Sequence, residues 1–179
     1  FAPMIRQIAP LDPTGILQHE WLNSRGAIAR FDRSAIEIRL IDAQECPRMD
    51  MVVSSAVIAA VMLLEEERWV EVSTLMDLDE RDLTLVFDAA LTHGANAPVE
   101  AKAIRRVFGL NAAASVGDVW RQIAMAGHSV LQPYQVELGA LLNQGCLAKR
   151  ILNAGDDIDA TYRGLAKSLA GNVPFGLSL

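Results

Sequence analysis

The stretch Ile36-Glu37-Ile38-Arg39-Leu40-Ile41-Asp42 decides the predicted fold, because apolar residues alternate with charged ones through most of it. Such alternation is typical of a β-strand, whose successive side chains point to opposite faces of the sheet. Glu37 and Arg39 therefore share one face, about 7 Å apart along the backbone. The other face carries Ile36, Ile38 and Leu40.

Glu37 and Arg39 together suit a site that handles a metal ion and a phosphate. The carboxylate offers hard oxygen ligands to Mg²⁺, and the guanidinium offers a planar fork to phosphate or carboxylate oxygens. Alternatively, an antiparallel strand with one solvated face carries a Glu and an Arg two positions apart as a simple ion pair. The spacing leaves both interpretations open, because Glu-x-Arg is too short a pattern to be specific.

The residues before this strand predict a β-hairpin. Residues 27–31 resemble a short strand, Asp32-Arg33-Ser34 a tight turn, and residues 35–42 the returning strand. Arginines concentrate in and around this hairpin, interleaved with acidic residues. They are Arg25, Arg30, Arg33, Arg39 and Arg48. Local cations in an acidic chain suit a small anionic ligand better than a polymer, with solvated ion pairs as the alternative.

Composition narrows the class of protein. The 179 residues are 51% hydrophobic and 21% charged, which is enough apolar material for one core and argues against disorder. The net charge of −6, without interleaved aromatic and basic residues, makes nucleic acid a poor partner. Two cysteines, Cys46 and Cys146, lack neighbours at metal-ligand spacing and indicate reduced, cytoplasmic chemistry. Cys46 is either a nucleophile or a small buried side chain.

No signal peptide is visible, and the apolar run at residues 51–64 is too short to cross a bilayer, so we expect no membrane partner. The chain begins at Phe1 without a Met, and we interpret it as a piece of a longer polypeptide or as a processed one. No Walker loop, GxGxxG, HExxH, CxxC or GxSxG motif occurs.

The rest of the chain predicts helices, so the fold class is α+β: a hairpin from an antiparallel sheet, then a mostly helical region. Helices are predicted at residues 47–69, 79–92, 98–108, 115–126, 132–144, 146–152 and 156–171. The first of these is expected to bury Val53, Val57, Val61 and Leu64. His93 lies in a predicted loop, where it is either a ligand or general base or, as loop histidines usually are, simply exposed. Residues 1–13 are expected to be irregular and residues 172–179 loose.

A lone two-stranded ribbon is marginal in water, and its edges need partners. We therefore expect further strands from residues before Phe1 or from a second chain, with the helices packed on the apolar face of the hairpin. In this interpretation residues 1–179 are one domain, the C-terminal part of a larger protein. Residues 19–46 form its hairpin region and residues 47–172 its helical region.

Two stretches carry a resemblance to a known family. They are HEWLNSRGAIARF at residues 19–31 and RFDRSAIEIRLIDAQECP at residues 30–47, followed by an apolar helix. They resemble the glutamate–cysteine ligase family, most closely the bacterial carboxylate–amine ligases of its second group. The element Glu-aliphatic-Arg-x-x-Asp is also similar to the matching strand of glutamine synthetases. A weaker likeness lies at residues 147–152.

The resemblance implies an ATP-dependent ligase that joins glutamate or another carboxylate to an amine through an acyl phosphate. It implies that Glu37 is a Mg²⁺ ligand, that Arg39 contacts the transferred phosphoryl group and that Arg30 contributes to binding the anionic ligand. Asp42 would support the end of the strand. Other acidic strands of that family lie in an N-terminal half that is absent here, so that half is an expected partner, and the oligomeric state stays open. The alternative is a non-catalytic helical interaction or regulatory domain.

Overall fold

The computed structural model describes residues 2–19 and 25–179, which divide into two compact units, Phe1–Ala43 and Gln44–Leu179. Residues 20–24, part of the first family-like stretch, lie outside the described residues. The α+β class is confirmed: the first unit contains a two-stranded antiparallel sheet, and the second is mostly helical.

The first unit opens with a short helix where an irregular segment was expected. Helix α1 spans Ala2–Ile8 and continues as one 3₁₀ turn, Ala9–Leu11. Pro3 falls in the first turn of α1, where its missing N–H group removes no helical hydrogen bond. The Asp12 carboxylate then accepts the backbone N–H groups of Ile16 (3.0 Å) and Leu17 (2.8 Å), which fixes the turn that follows.

The predicted hairpin is present. Strand β1 (Ala27–Arg30) pairs antiparallel with strand β2 (Ala35–Ile38). A 3₁₀ turn, Phe31–Arg33, connects them, and Ser34 closes it in the left-handed conformation with φ 49°. The prediction that the second strand reaches residue 42 is wrong. Beyond Ile38, within residues 25–179, the Arg39 N–H group still donates to the Gly26 carbonyl (2.8 Å).

The apolar face of the hairpin is not the buried one. Ile36 and Leu40 expose 58% and 54% of their surface, and the expectation that helices pack on this face stays a prediction. Ile28, by contrast, is buried. The register places Ile28 directly opposite Glu37, and paired residues of an antiparallel ladder point to the same side. The covered side of the hairpin is therefore the side that carries its charges.

Helix α2, Pro47–Glu65, organises the second unit. It begins at Pro47, as predicted, and ends four residues before the expected Trp69. Its buried residues fall at helical spacing and are Met49, Val52, Ser55, Ala56, Ala59 and Leu63. The prediction that Val53, Val57, Val61 and Leu64 are buried is thus wrong, because the buried stripe lies on a different side of the helix. Val61 is exposed and the other three are half-buried. α2 is long and apolar enough to cross a bilayer, but the core helices of globular domains can have the same length and composition.

Further helices follow α2 along the second unit. They are α3 Val72–Met76, α4 Glu80–His93, α5 Lys102–Val107, α6 Val116–Ala126, α7 Gln135–Gln144, α8 Leu147–Asn153 and α9 Ile158–Gly171. The side chains of Asp79 and Ser115 cap the N-termini of α4 and α6, and Ser115 does so in a capping box with Asp118. The core joins the buried stripe of α2 to side chains from α5, α6, α7 and the 3₁₀ segment Ser129–Tyr134.

The C-terminal tail is tied down, contrary to the expectation of a loose end. The Gln144 side chain makes two hydrogen bonds with the backbone of Ser178, at 2.9 and 3.1 Å. The Phe175 N–H group donates to the Glu45 carboxylate (2.9 Å), and Leu177 packs against the core. The side-chain amide of Asn172 accepts the Arg48 N–H group (2.8 Å). These bonds attach the tail to the start of α2 and to α7.

Candidate functional site

Charged side chains of the hairpin lie together in a group that we call the hairpin charge cluster, and its members are Arg30, Asp32, Glu37 and Arg39. The ladder explains how it forms. Glu37 lies on β2 and Arg39 just beyond it, two positions apart and so on one face. Arg30, at the end of β1, pairs with Ala35 and therefore points to that same face. Two strands and one turn thus bring the cluster together.

Glu37 lies at the centre of the cluster, between two guanidinium groups. Its Oε2 atom accepts from Nη1 of Arg30 at 2.8 Å, and its Oε1 atom accepts from Nε of Arg39 at 3.0 Å. The exposed fractions of the side chains are 15% for Arg30, 24% for Arg39 and 38% for Glu37. The cluster is therefore partly withdrawn from water, where ion pairs are screened less than on an open surface.

Asp32 is a partner that the sequence analysis did not identify. Its two oxygens accept from Nε and Nη2 of Arg30, each at 3.2 Å, so that the Arg30 fork is held from the turn side. Nη1 of Arg30 is then the donor that reaches Glu37. An Arg and an Asp two residues apart at a hairpin turn was the signal available in the sequence. Arg33 meets Asp32 only at 3.6 Å, and both side chains are largely exposed.

These hydrogen bonds shift the pKa values of side chains in the cluster. Hydrogen bonds from Arg30, and secondarily from Arg39, lower the pKa of Glu37 despite its partial burial. The bond from Arg30 likewise lowers the pKa of Asp32, and bonds to Asp32 and Glu37 raise the pKa of Arg30. Glu37, Asp32 and Arg30 are therefore charged at neutral pH. Two arginines converge on the Glu37 carboxylate, and with Asp32 included the two cations and two carboxylates of the cluster balance in formal charge.

This donor set fits a polyphosphate together with its metal better than it fits a metal alone. The two guanidinium groups offer forked donors of the kind that bind phosphate oxygens. Mg²⁺ in phosphate-handling sites is bound through one or two carboxylates plus substrate phosphates, and it keeps several waters. Glu37 can supply one such carboxylate. Within residues 2–19 and 25–179 no group of three or more His, Cys, Asp or Glu side chains could hold an ion by itself.

The other residues singled out from the sequence do not join the cluster. Asp42 is exposed and lies four positions beyond the end of β2, and its expected support of the strand end stays a prediction. Cys46 is buried at the start of α2 and belongs to the core, as the second of its two interpretations predicts. His93 is the exposed last residue of α4.

The second unit holds a buried ion pair that sequence reasoning missed. Nη1 of Arg150 lies 2.6 Å from Oε1 of Glu45, and the two side chains are 3% and 0% exposed. Arg150 also donates to the carbonyls of Gly145 (3.2 Å) and Phe175. Nearby, Arg48 pairs with Glu137 and lies 5.7 Å from the centre of the Tyr134 ring. These groups join α2, α7, α8 and the tail, and they have structural rather than catalytic geometry.

Two surface depressions of about 420 Å³ also lie in the second unit. One is bordered by α4 and residues 98–101, and the other by Arg150, Gln144 and Phe175. Around the second depression, Arg150 is committed to the ion pair with Glu45 and Gln144 to the backbone of Ser178. Neither depression includes a residue of the hairpin charge cluster, so neither adds a ligand pocket to the predicted site.

Comparison with known proteins adds little to this geometry. No family model matches the chain, and no solved structure matches it. A stretch of 52 residues is 44% identical to part of a protein of Archaeoglobus fulgidus that is described as uncharacterized. That stretch covers 29% of this chain and 14% of the archaeal protein. The likeness to carboxylate–amine ligases therefore continues to rest on the residues quoted above.

Proposed function

We propose that the chain contributes part of the active site of an ATP-dependent carboxylate–amine ligase similar to glutamate–cysteine ligases. ATP supplies a phosphoryl group that converts a carboxylate, such as the side chain of glutamate, into an acyl phosphate with release of ADP. An amine then displaces the phosphate and leaves an amide. In this proposal the chain contributes charged side chains: Arg39 and Arg30 bind phosphoryl oxygens, and Glu37 is a ligand of the Mg²⁺ that accompanies ATP.

The observation that carries this proposal is the position of Glu37 between Arg30 and Arg39 on one face of the hairpin. Phosphoryl transfer requires positioning and neutralisation of developing negative charge more than it requires a nucleophilic side chain. Two arginines and one carboxylate within hydrogen-bonding distance supply that combination. A surface ion pair between Glu37 and Arg39 alone would not explain why Arg30 reaches across from the neighbouring strand.

The exposed apolar face of the hairpin is a reason to expect that further protein structure completes the site. Ile36, Ile38 and Leu40 are all exposed to solvent in the described chain, and a two-stranded ribbon with such a face is stable only when another layer covers it. We expect that layer, together with further acidic ligands, to come from the N-terminal half expected from the family resemblance. Residues 1–179 alone should consequently not release ADP from ATP in a glutamate-dependent way.

Calorimetric titration of the full-length protein with Mg·AMPPNP, a non-hydrolysable ATP analogue, tests the proposal. Arg39→Gln and Glu37→Gln should each weaken binding by about tenfold or more, the loss expected from one charge-assisted contact. Arg33→Gln is the matched control, because Arg33 lies in the same turn but is 69% exposed and approaches the Asp32 carboxylate no closer than 3.6 Å. It should leave the affinity unchanged.

The alternative function is a non-catalytic helical interaction or regulatory domain. It is favoured by one observation: α4 has no buried residue, and Leu83, Leu85 and Leu91 are exposed along it. A domain of that kind would show no affinity for Mg·AMPPNP in the wild-type protein, and the cluster variants would then have nothing to weaken. Glutamate-dependent ADP release by residues 1–179 alone would instead contradict the proposal that the site is incomplete.

A further inference from the structure

Helix α9 exposes its large apolar side chains and buries small polar ones. Ile158, Tyr162 and Leu169 expose 68%, 69% and 61% of their surface. The buried residues of the helix are Thr161 and Ser168. A surface helix of a globular protein normally turns its apolar stripe towards the core. The outward stripe of α9 is therefore a candidate contact surface for another molecule.

The orientation of α9 is fixed by the contacts of its other side and of its ends. Gly164 lets the helix lie close to the tail, since a Cβ atom there would lie 2.7 Å from Cε2 of Phe175. The Asp157 side chain caps the first turn. The C-cap residue, Asn172, accepts the Arg48 N–H group at 2.8 Å. Rotating α9 to bury its apolar stripe would break these contacts.

The spacing of the stripe is that of a coiled-coil seam. Ile158, Tyr162, Leu165 and Leu169 alternate at steps of four and three residues, and Leu165 is the half-buried member. This is the a/d repeat of a heptad, which keeps the four side chains on one narrow face of the helix. Such a face is complemented by a second helix with the same repeat. Tyrosine is also among the residues enriched at the centre of protein interfaces.

A second copy of α9 supplies that repeat. When two copies run antiparallel about a two-fold axis near residues 163–164, Ile158 of one copy lies opposite Leu169 of the other. Tyr162 then lies opposite Leu165. A two-fold contact of this kind uses the same patch on both subunits, so each pair occurs twice and every seam residue has an apolar partner.

The charges of α9 favour the antiparallel direction. Asp156, Asp157 and Asp159 lie at its N-terminal end, whereas Arg163 and Lys167 lie further along, and all five are exposed. Parallel pairing would align each charge with its own copy. Antiparallel pairing instead brings the acidic end of one helix alongside the end of the other that carries Lys167, and the helix dipoles then also attract.

We propose that the α9 seam (Ile158, Tyr162, Leu165 and Leu169) is a homodimer interface at which two copies of this chain pair antiparallel. One pair of helices of this length is a small contact beside the standard interface of about 1,600 Å². We therefore expect a dissociation constant in the micromolar range. The interface is independent of the proposed function, because α9 belongs to the second unit and contributes nothing to the hairpin charge cluster.

Sedimentation equilibrium of the full-length protein, from well below to well above micromolar concentration, tests the interface. The wild type should dimerise. Leu169→Glu should weaken dimerisation by about tenfold or more, since it places an unpaired charge in the seam of both copies. Leu91→Glu, on α4, is the matched control: Leu91 is 63% exposed, and the same change there should leave the dimer unaffected. Circular dichroism checks that each variant is folded.

Cysteine cross-linking tests the direction of the pair. The background is Cys146→Ser, because Cys146 is exposed whereas Cys46 is buried. A mixture of the Ile158→Cys and Leu169→Cys proteins should form an interchain disulfide on mild oxidation. Neither variant alone should do so, since its two introduced thiols would lie about 16 Å apart along the helix axis.

Each contrary outcome overturns the proposed interface. A wild type that stays monomeric at every concentration would show that a second copy does not cover the seam. A dimer that survives Leu169→Glu, or that Leu91→Glu weakens equally, would place the contact elsewhere. Cross-linking by either cysteine variant alone would show a parallel pair. None of these results depends on Mg·AMPPNP binding, so the ligase proposal stands or falls separately.

Discussion

Arg150 and Glu45, 105 positions apart in the chain, form an ion pair that excludes water almost completely: Nη1 lies 2.6 Å from Oε1, and the side chains are 3% and 0% exposed. Backbone groups complete the arrangement. The Phe175 N–H group donates to Glu45, and Arg150 donates to the carbonyls of Gly145 and Phe175. The pair therefore joins Glu45, two residues before the start of α2, to α8 and to the tail, and it explains why the tail is ordered.

The first prediction concerns the stability that depends on this pair. Arg150→Met should lower the free energy of unfolding by about 3–5 kcal/mol, because it leaves a buried carboxylate without its partner. Urea denaturation measures the change. Arg121→Met is the control: Arg121 pairs with Asp118 at 3.0 Å on the surface, and such pairs contribute at most about 1 kcal/mol. Equal losses in the two variants would show that the buried pair has no special role.

The second prediction is a pH dependence that follows from Glu45. Burial opposes ionisation of this side chain, but hydrogen bonds from Arg150 and from the backbone N–H groups of Glu45 and Phe175 outweigh it and lower the pKa below the ordinary 4.5. A carboxyl group with a lowered pKa in the folded state stabilises that state fully above its unfolded pKa. This contribution is lost as the pH falls from about 4.5 through the folded value.

Unfolding experiments between about pH 6 and pH 3 should therefore show a stability loss on acidification that is shallower in Glu45→Gln. The variant should be less stable than the wild type at pH 6, and the two should converge towards pH 3. Some acid sensitivity will persist, because the bond from Arg48 also lowers the pKa of the buried Glu137. Glu65→Gln, at an exposed position at the end of α2, should keep the wild-type slope. A parallel shift of the Glu45→Gln curve at all pH values would contradict the assignment.

The third prediction concerns Gly109, which follows α5. Its φ is +68°, and a Cβ atom built there would lie 2.5 Å from Cδ1 of Trp69. Gly109→Ala should therefore destabilise the protein by about 2–4 kcal/mol, from backbone strain and a clash together. Gly127→Ala isolates the backbone contribution, since Gly127 has φ +72° but no atom nearer than 3.8 Å. That variant should lose only about 1 kcal/mol. Urea denaturation measures both, and a change in Trp69 fluorescence should accompany only the first.

The sequence predicts local features of this fold well. The helix starts predicted at residues 47, 79 and 115 match those of α2, α4 and α6 within one residue, because Pro47 and the caps Asp79 and Ser115 act through neighbouring atoms. The strand period alone also placed Glu37 and Arg39 on one face. These features depend on backbone geometry over a few residues, which is the range that a sequence pattern encodes.

Features that depend on distant partners were not predictable in this way. The buried stripe of α2 is out of phase with the prediction because the helix is apolar nearly all round, so that only its tertiary neighbours select the buried face. The exposure of Ile36 and the burial of Ile28 have the same origin. The ordered tail depends on Glu45 and Arg150, whose contact leaves no local pattern. In the site, Asp32 was missed because its role lies in orienting Arg30 rather than in binding a ligand.

The last prediction concerns Ser34, which closes the hairpin turn in the left-handed conformation, with φ 49° and ψ 45°. For a residue with a Cβ atom this conformation costs roughly 1–2 kcal/mol. Ser34→Gly should therefore stabilise the hairpin, by about 0.5 kcal/mol after the greater freedom of glycine in the unfolded chain is subtracted. Ser34→Val should destabilise it by about 1 kcal/mol or more, since β-branched residues fit this conformation poorly.

Hydrogen exchange of the Arg39 N–H group, which donates to the Gly26 carbonyl and closes the ladder, reports this change locally. Exchange should be slower in Ser34→Gly and faster in Ser34→Val than in the wild type. The Arg105 N–H group, bonded to the Ala101 carbonyl in the second unit, is the internal control and should exchange at the same rate in all three proteins. Because the turn sets the position of Arg30 and Asp32 relative to Glu37, Ser34→Val should also weaken Mg·AMPPNP binding. Faster exchange in Ser34→Gly would contradict the left-handed turn on which the geometry of the charge cluster depends.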